Sequence, residues 1–353
     1  MKIAIDCRMI GTGGIGSYIS ELIPHLLKNN ECLLLGKHEQ CTDFIRDKNV
    51  EFCYCDIKPF SLKEMIGFPK DILSKIHQYD VYFTPYCNIP GGISLPIFST
   101  IHDVVFLDVP GLTGTVGKIA RKFFYQRAIN FSNGIFTVSE FSKQRIIAKL
   151  KCKKPIYITY NSVPSYLTKG DVISEKKDEI LFVGNIKKHK GLKTLLDAYE
   201  IARQKGFSQK LVIVGNADNF KTGDVETVRR LEQMPKDSVV FTGKISNAAL
   251  KELYAEAKLL VQPSLYEGFG IPPLEAMTMG TPVILSDIPV FKEIYNGFPV
   301  EFFEAGNAES LAEKLLSSKM EPVDIAKLKE NGIGTEYSYE KSCDVILRAF
   351  ANL

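Results

Sequence analysis

The sequence predicts an α/β protein built from two doubly wound domains, each a parallel sheet covered by helices on both faces. Three observations predict it. Short apolar runs alternate with longer amphipathic ones along the whole chain, and strand alternating with helix is the pattern of such a sheet. The alternation breaks at a polar, aperiodic stretch, YNSVPSYLTKGDVISEKKD (160–178), and then restarts. The 353 residues are too many for one ordinary core and suit two.

In chain order, KIAID (2–6) reads as a buried strand and SYISELIPHLLKN (17–29) as a helix with Ile19, Leu22, Ile23, Leu26 and Leu27 on one face. ECLLLG (31–36), VYFTP (81–85) and IFSTIHD (97–103) read as strands. A helix through 118–132, the strand GIFTVS (134–139) and a helix from Glu140 to Leu150 follow. After the polar stretch come the strand EILFVGN (179–185) and a helix over 191–206. QKLVIVGN (209–216) and SVVFTGK (238–244) are strands, and 247–258 is a helix with Asn247 as N-cap. LLVQPS (259–264) is a strand, followed by a glycine loop, a helix around LEAMTMG, and TPVILSD (281–287) as the last clear strand. The expected domains are 1–165 and 166–335, facing one another across a cleft, with 336–353 as a final helix. Ligands of such sheets sit at the carboxyl ends of the strands.

Composition bounds the class. Hydrophobic residues make up 45% and charged residues 24%, a soluble globular mix. Asp6 and Arg8 follow the first apolar run at once, which argues against a secretory signal. No stretch approaches the ~20 apolar residues that span a bilayer. The eight cysteines are scattered without a C-x-x-C pair, as expected of reduced thiols in the cytoplasm. Residues 1–170 carry 21 Lys and Arg against 14 Asp and Glu, a balance of +7, and the remainder carries 23 against 27, or −4. A basic first half suggests an anionic partner or surface.

Gly11, Gly13 and Gly16 in CRMIGTGGIGSYISEL spell G-x-G-x-x-G, the fingerprint of a dinucleotide-binding unit. Its context argues against NAD. DCRMI separates the strand from Gly11, and the second strand ends in Gly36-Lys37-His38 with no acid for a ribose. A glycine loop before a helix still cradles an anion, through Gly13, Gly14 and Gly16; the alternative is a tight turn that holds no ligand.

The most specific stretch is PSLYEGFGIPPLEAMTMGTPVILSD (263–287). Glu267 and Glu275 stand eight apart around GFGIPPL. Gly268 and Gly270 suit close approach to a ligand, Pro272 and Pro273 suit a first helical turn, and the amides of that turn would donate to phosphate or sugar oxygens. This E-x7-E arrangement, with GTGGIG near the start, TIHD (100–103), TVSEFSK (137–143), YNSVP (160–164), VGNIKKHKG (183–191) and VIVGN (212–216), resembles retaining glycosyltransferases of the GT-B fold, glycosyltransferase family 4. The resemblance covers nearly the whole chain.

The resemblance implies a nucleotide-diphosphate sugar as donor and no cofactor. Glu275 would bind the donor ribose, while Glu267 and the Phe269, Gly270 and Ile271 amides would hold the transferred sugar. The family segment VGRLSPEKG supplies an Arg and a Lys to the diphosphate. Here Lys190 is kept and Asn185 stands at the arginine position, so Lys187, Lys188 or His189 would supply the missing charge. His102 would stand beside the reacting sugar, with Asp103 orienting it or capping the next segment. The chain has no D-x-D, so no metal is expected. The HD and N-x-K-x-H-K segments resemble mannosyltransferases of polysaccharide assembly, which favours GDP-mannose as donor and a glycan or lipid-linked acceptor. Lys118, Arg121, Lys122 and Arg127, interleaved with Phe123, Phe124 and Tyr125, suggest contact with an anionic membrane surface on the cytoplasmic face; a core-packed helix with solvated charges is the other reading of that segment. No nucleic-acid partner is expected. An NAD-linked oxidoreductase and a non-catalytic sugar-nucleotide-binding protein are the alternatives.

Overall fold

The computed structural model describes residues 1–167, 175–215 and 224–353. Residues 168–174 of the expected linker, and Asn216 at the end of an expected strand, lie outside the described residues. The chain divides into two compact units. The first comprises Met1–Asp108, Gly114–Asn161 and Tyr337–Leu353, and the second Val109–Thr113 and Ser162–Glu336.

The first unit carries strands β1 (Lys2–Asp6), β2 (Glu31–Gly36), β3 (Val50–Tyr54), β4 (Val81–Thr84), β5 (Ile97–Thr100), β6 (Gly134–Thr137) and β7 (Ile156–Ile158). They form one parallel sheet in the order β3-β2-β1-β4-β5-β6-β7. Alternation along β1 divides the core. Ile3 and Ile5 pack into one cluster and Ala4 into the other, on opposite faces of the sheet. The helix Tyr339–Ala351 completes the face that holds Ile3 and Ile5. Its Tyr339, Cys343, Ile346, Ala349 and Phe350 are buried at helical spacing. The Phe350 ring lies 4.9 Å from Phe98 and 5.9 Å from Phe83. Burial of such a side chain stabilises by roughly 1.5–3 kcal/mol.

The second unit carries β8 (Lys177–Val183), β9 (Lys210–Val214), β10 (Val239–Gly243), β11 (Ala257–Gln262), β12 (Val283–Ser286) and β13 (Val300–Phe303), parallel in the order β10-β9-β8-β11-β12-β13. The helices Leu192–Gln204 and Ala308–Ser317 share its buried cluster. Two parallel sheets with flanking helices make an α/β, GT-B-like fold.

Several expectations need correction. The strand 281–287 is not the last, because β13 follows it at the sheet edge. The edge strands β3 and β7 lie outside the expected elements; their apolar runs, FCY and IYI, are only three residues long, and only Cys53 is buried in β3 and no residue of β7 is. The first helix spans Gly13–Leu27 and therefore starts inside the glycine motif. The cap of the helix Asn247–Glu256 is Ser246, whose side chain accepts from the Ala249 amide, in place of Asn247.

Candidate active site

In the first unit the strand order reverses between β1 and β4, the topological switch at which doubly wound sheets bind ligands. The glycine loop follows β1, Pro85 and Tyr86 follow β4, and His102 follows β5. Gly13 and Gly14 are exposed at the helix start, and a side chain added to either would meet nothing within 4 Å. Gly16 differs. It is buried, and a Cβ there would lie 2.6 Å from the Met9 carbonyl. Its missing side chain lets the loop fold back on the helix.

His102 Nε2 donates to the Pro85 carbonyl at 2.8 Å, which leaves Nδ1 as the acceptor. The ring stands edge-on to Tyr18, with centroids 5.0 Å apart. Burial lowers its pKa to about 4, only partly offset by the Pro85 hydrogen bond, so the ring is neutral at physiological pH. Asp103 Oδ1 accepts from the Val105 amide at 3.0 Å, a cap on the next segment.

Beneath this edge lies a buried ionic cluster that sequence reasoning missed. Arg8 holds Asp6 through Nε at 2.9 Å and Nη2 at 2.6 Å, and reaches Glu64 at 2.5 Å. Asn88 donates to both carboxylates, at 3.0 and 2.9 Å, and Tyr82 donates to Asp6 at 3.0 Å. Burial works to raise the Asp6 pKa, but Arg8 and Asn88 outweigh it and hold the group below the ordinary carboxylate range. The cluster ties the ends of β1 and β4 to the helix Leu62–Ile66.

The second unit reverses its strand order between β8 and β11. The loop after β8 carries Lys190 and the loop after β11 carries Glu267. Lys190 Nζ donates to both Glu267 oxygens, at 2.7 and 2.8 Å. Gly191 makes this pairing possible. Its φ is +69°, and a Cβ there would lie 1.9 Å from the Pro263 carbonyl. The His189 carbonyl also accepts from the amides of Leu265, at 2.8 Å, and Tyr266, at 3.3 Å. Ser264 Oγ donates to Glu267 at 2.8 Å and receives Gln262 Nε2 at 3.2 Å. Burial works to raise the Glu267 pKa, but Lys190 and the Ser264 hydroxyl more than compensate, and the carboxylate stays ionised. Gly191, Gln262 and Ser264 are neighbours of this pair that sequence reasoning did not single out. The glycine ending KHKG and the serine of PSLYEG were the available signals.

Glu275 lies on the helix Pro272–Thr278 and is buried. The Tyr254 hydroxyl donates to its Oε2 at 2.5 Å. Burial raises the carboxyl to about 7 and outweighs that hydrogen bond. Nothing in the sequence pointed to Tyr254, which lies 21 residues away.

Three expectations about this loop change. Pro272 and Pro273 fill the first two helical positions and have no N–H, so that turn cannot offer the full set of free amides. Gly270, at φ +86°, makes room for Phe291, whose ring would lie 2.4 Å from an added Cβ, and its carbonyl accepts from the Tyr295 hydroxyl. The missing arginine charge cannot come from His189. That ring is buried, and burial, with Lys190 and Lys187 nearby, lowers its pKa to about 4. Asn185 and Lys188 are exposed, and Lys187 is half-buried. Phe269 is buried and Ile271 half-buried at the start of the helix.

Among the described residues no group of three or more His, Cys, Asp and Glu side chains is disposed to hold a metal, and no helix is long and apolar enough to cross a membrane. All eight cysteines are buried and free.

The fold matches that of HepE from Anabaena, solved with UDP and glucose, at a TM-score of 0.73 over 100% of both chains, with 17% identity. Residues 168–334 match the family model described as "Glycosyl transferases group 1". The O-antigen chain mannosyltransferase RfbU of Salmonella typhimurium is 34% identical over 198 residues, 55% of this chain and 53% of its own. The serotype-specific mannosyltransferase WbdA of Escherichia coli is 38% identical over 114 residues, 32% of this chain and 14% of its own. The matched part thus spans about half of RfbU and a smaller share of WbdA. These similarities support a glycosyltransferase.

Proposed function

We propose that the chain is a retaining glycosyltransferase of family 4 that moves a sugar from a nucleotide diphosphate, GDP-mannose being the favoured donor, to a glycan or lipid-linked acceptor in polysaccharide assembly. The observation that carries this reading is the Lys190–Glu267 pair at the strand reversal of the second unit, with Glu275 buried on the helix that follows. All three residues fall within the segment that matches the group 1 transferases.

In this reading Glu275 accepts from the ribose hydroxyls, Glu267 accepts from the hydroxyls of the sugar, and the Phe269, Gly270 and Ile271 amides donate to the sugar oxygens. An ammonium has three N–H donors. Two of those on Lys190 are spent on Glu267, and the third meets the diphosphate. The bond from the sugar C1 to the phosphate oxygen breaks as the acceptor oxygen bonds to C1 on the same face. The acceptor proton passes to the departing phosphate oxygen. Charge grows on that oxygen in the transition state, so a cation fixed beforehand accelerates the step. Lys187 or Lys188 adds the second positive charge in the absence of the family arginine. His102, neutral and with Nδ1 as acceptor, takes a hydrogen bond from a sugar hydroxyl. Gly13 and Gly14 line an anion-accepting helix start. The reaction needs neither metal nor cofactor, and the enzyme works on the cytoplasmic face of a membrane as a peripheral protein.

The oxidoreductase alternative is not favoured, because β2 ends at Gly36 with Lys37 and His38 beyond it. A thermal-shift panel of GDP, UDP and their sugars tests the proposal, since a ligand bound only by the native state raises the melting temperature. GDP and GDP-mannose should give the largest rise. A rise with NADH alone would transfer the assignment to the oxidoreductase.

A further inference from the structure

The helix Thr115–Phe131 is turned in an unusual way. Its buried residues are Tyr125, Ala128 and Ile129. Val116, Ile119 and Phe123 recur three and four residues apart, the spacing of a single helix face, yet they are 82%, 64% and 51% exposed. Phe131 extends the same face and is also exposed. The neighbouring helix Leu62–Ile66 adds Leu62 and Ile66, 74% and 84% exposed and one turn apart. The two helices are fastened together. Arg127 donates to the Met65 carbonyl at 3.4 Å, and the Phe60 and Phe124 rings meet at 4.8 Å. Six large apolar side chains therefore stand out from one region of the first unit, where a water-facing helix would carry polar groups.

The charges around them share one sign. From residue 109 to residue 139 there is no Asp or Glu. Lys118 and Lys122 are exposed beside the apolar row, and Lys63 is exposed between Leu62 and Ile66. Glu64, the acid of the short helix, is buried against Arg8. Arg121 and Arg127, the other two cations of the basic cluster, are engaged within the unit. Arg121 lies over the Phe106 ring, and Arg127 is bound to the Ile89 and Met65 carbonyls with its guanidinium 4.7 Å from the centre of the Phe131 ring, beside the apolar row.

We propose that Leu62, Ile66, Val116, Ile119, Phe123 and Phe131 form a face that inserts into the interfacial layer of an anionic membrane, with Lys63, Lys118 and Lys122 against the lipid phosphates. This deepens the peripheral-membrane part of the reading above and rests on that part alone. Charge complementarity selects the occupant. A second copy packed on this face would bring lysines against lysines, whereas an anionic leaflet neutralises them and accepts the apolar side chains. The face is an insertion surface that draws part of its affinity from apolar contact, so lysine charge alone does not account for it.

The chain has no tryptophan, so Phe123→Trp provides a single reporter. The experiment combines co-sedimentation with vesicles of phosphatidylcholine, alone or mixed with phosphatidylglycerol, at low and high salt, and the emission of that reporter. The wild type should sediment with the anionic vesicles at low salt, and Phe123→Trp should show a blue shift on them. Ile66→Asp with Ile119→Asp should abolish sedimentation at low salt, with an unchanged circular dichroism spectrum and melting curve. Lys118→Gln with Lys122→Gln should lower binding severalfold and flatten its salt dependence. Sedimentation of Phe123→Trp without a spectral shift would overturn the face and leave the peripheral reading standing. Failure of the wild type to sediment with anionic vesicles at low salt would overturn both. A concentration-dependent dimer in ultracentrifugation that Ile119→Asp abolishes, without vesicle binding, would assign the face to a second copy.

Discussion

Glu275→Gln should make the protein more stable while weakening its use of the donor. The carboxyl is buried, its Oε2 receives the Tyr254 hydroxyl, and its pKa rises from 4.5 to about 7. A carboxyl with a raised folded-state pKa binds its proton more tightly in the native state. Its contribution is therefore fully present below pH ~4.5 and is lost as pH rises through 7. The shift from 4.5 to about 7, at about 1.36 kcal/mol per unit, makes the loss on the order of 3 kcal/mol. A glutamine keeps an oxygen to accept from Tyr254 and cannot ionise. The variant should match the wild type near pH 4.5 and exceed it by ~3 kcal/mol at pH 8. Urea unfolding at a series of pH values measures the difference. Binding supplies the complementary result. Ribose hydroxyls donate to the ionised carboxylate, so nucleotide binding near pH 6 should release a proton. Titration heats should then vary with the ionisation enthalpy of the buffer for the wild type and not for Glu275→Gln. Parallel stability curves for the two proteins between pH 5 and 8 would refute the reasoning.

Lys190→Ala should lower kcat by a factor on the order of a hundred, because the lysine acts on charge that grows in the transition state, and should also lower the melting temperature, because it leaves Glu267 buried without its cation; steady-state kinetics below the melting transition, with circular dichroism, separates the two effects. Arg8→Met should destabilise by ~3–5 kcal/mol in urea unfolding, since it leaves Asp6 and Glu64 buried without their cation. His102 should remain neutral down to about pH 5, because burial holds its pKa at about 4. Its lowered pKa contributes stability that is present above the unfolded value of 6.5 and is lost as pH falls through about 4, so His102→Phe should flatten the acid limb of the unfolding profile in that window.

The regular elements were legible wherever a local signal sets them. The helix Glu140–Leu150 has the expected ends, with Ser139 accepting from the Ser142 amide at its start. The strand KIAID is buried at four of its five positions and reads as an apolar run. The edge strands β3 and β7 escaped because their apolar runs are only three residues long. In the site, the order of strand, glycine loop and helix around Glu267 and Glu275 was visible as spacing. The state of each group was not, because partners distant in sequence set it. Glu267 is ionised by a lysine 77 residues away, and Asn88, 82 residues away, helps Arg8 hold Asp6 ionised. His189 counted as a source of charge in sequence, and burial removes that charge. The apolar spacing of Val116, Ile119 and Phe123 suits a core helix equally well, and only the direction in which the helix packs exposes them.

A nucleotide-sugar site in the second unit, built on Lys190, Glu267 and Glu275, is the centre of the proposed function. Calorimetric titration with GDP-mannose tests it most directly, on the wild type and on Lys190→Ala, Glu275→Ala and Lys122→Gln. One saturable site is predicted, weakened at least tenfold, or about 1.4 kcal/mol, by each of the first two substitutions and unchanged by the third. Absence of binding by GDP-mannose and by every other nucleotide sugar, or binding indifferent to both Lys190→Ala and Glu275→Ala, would contradict it.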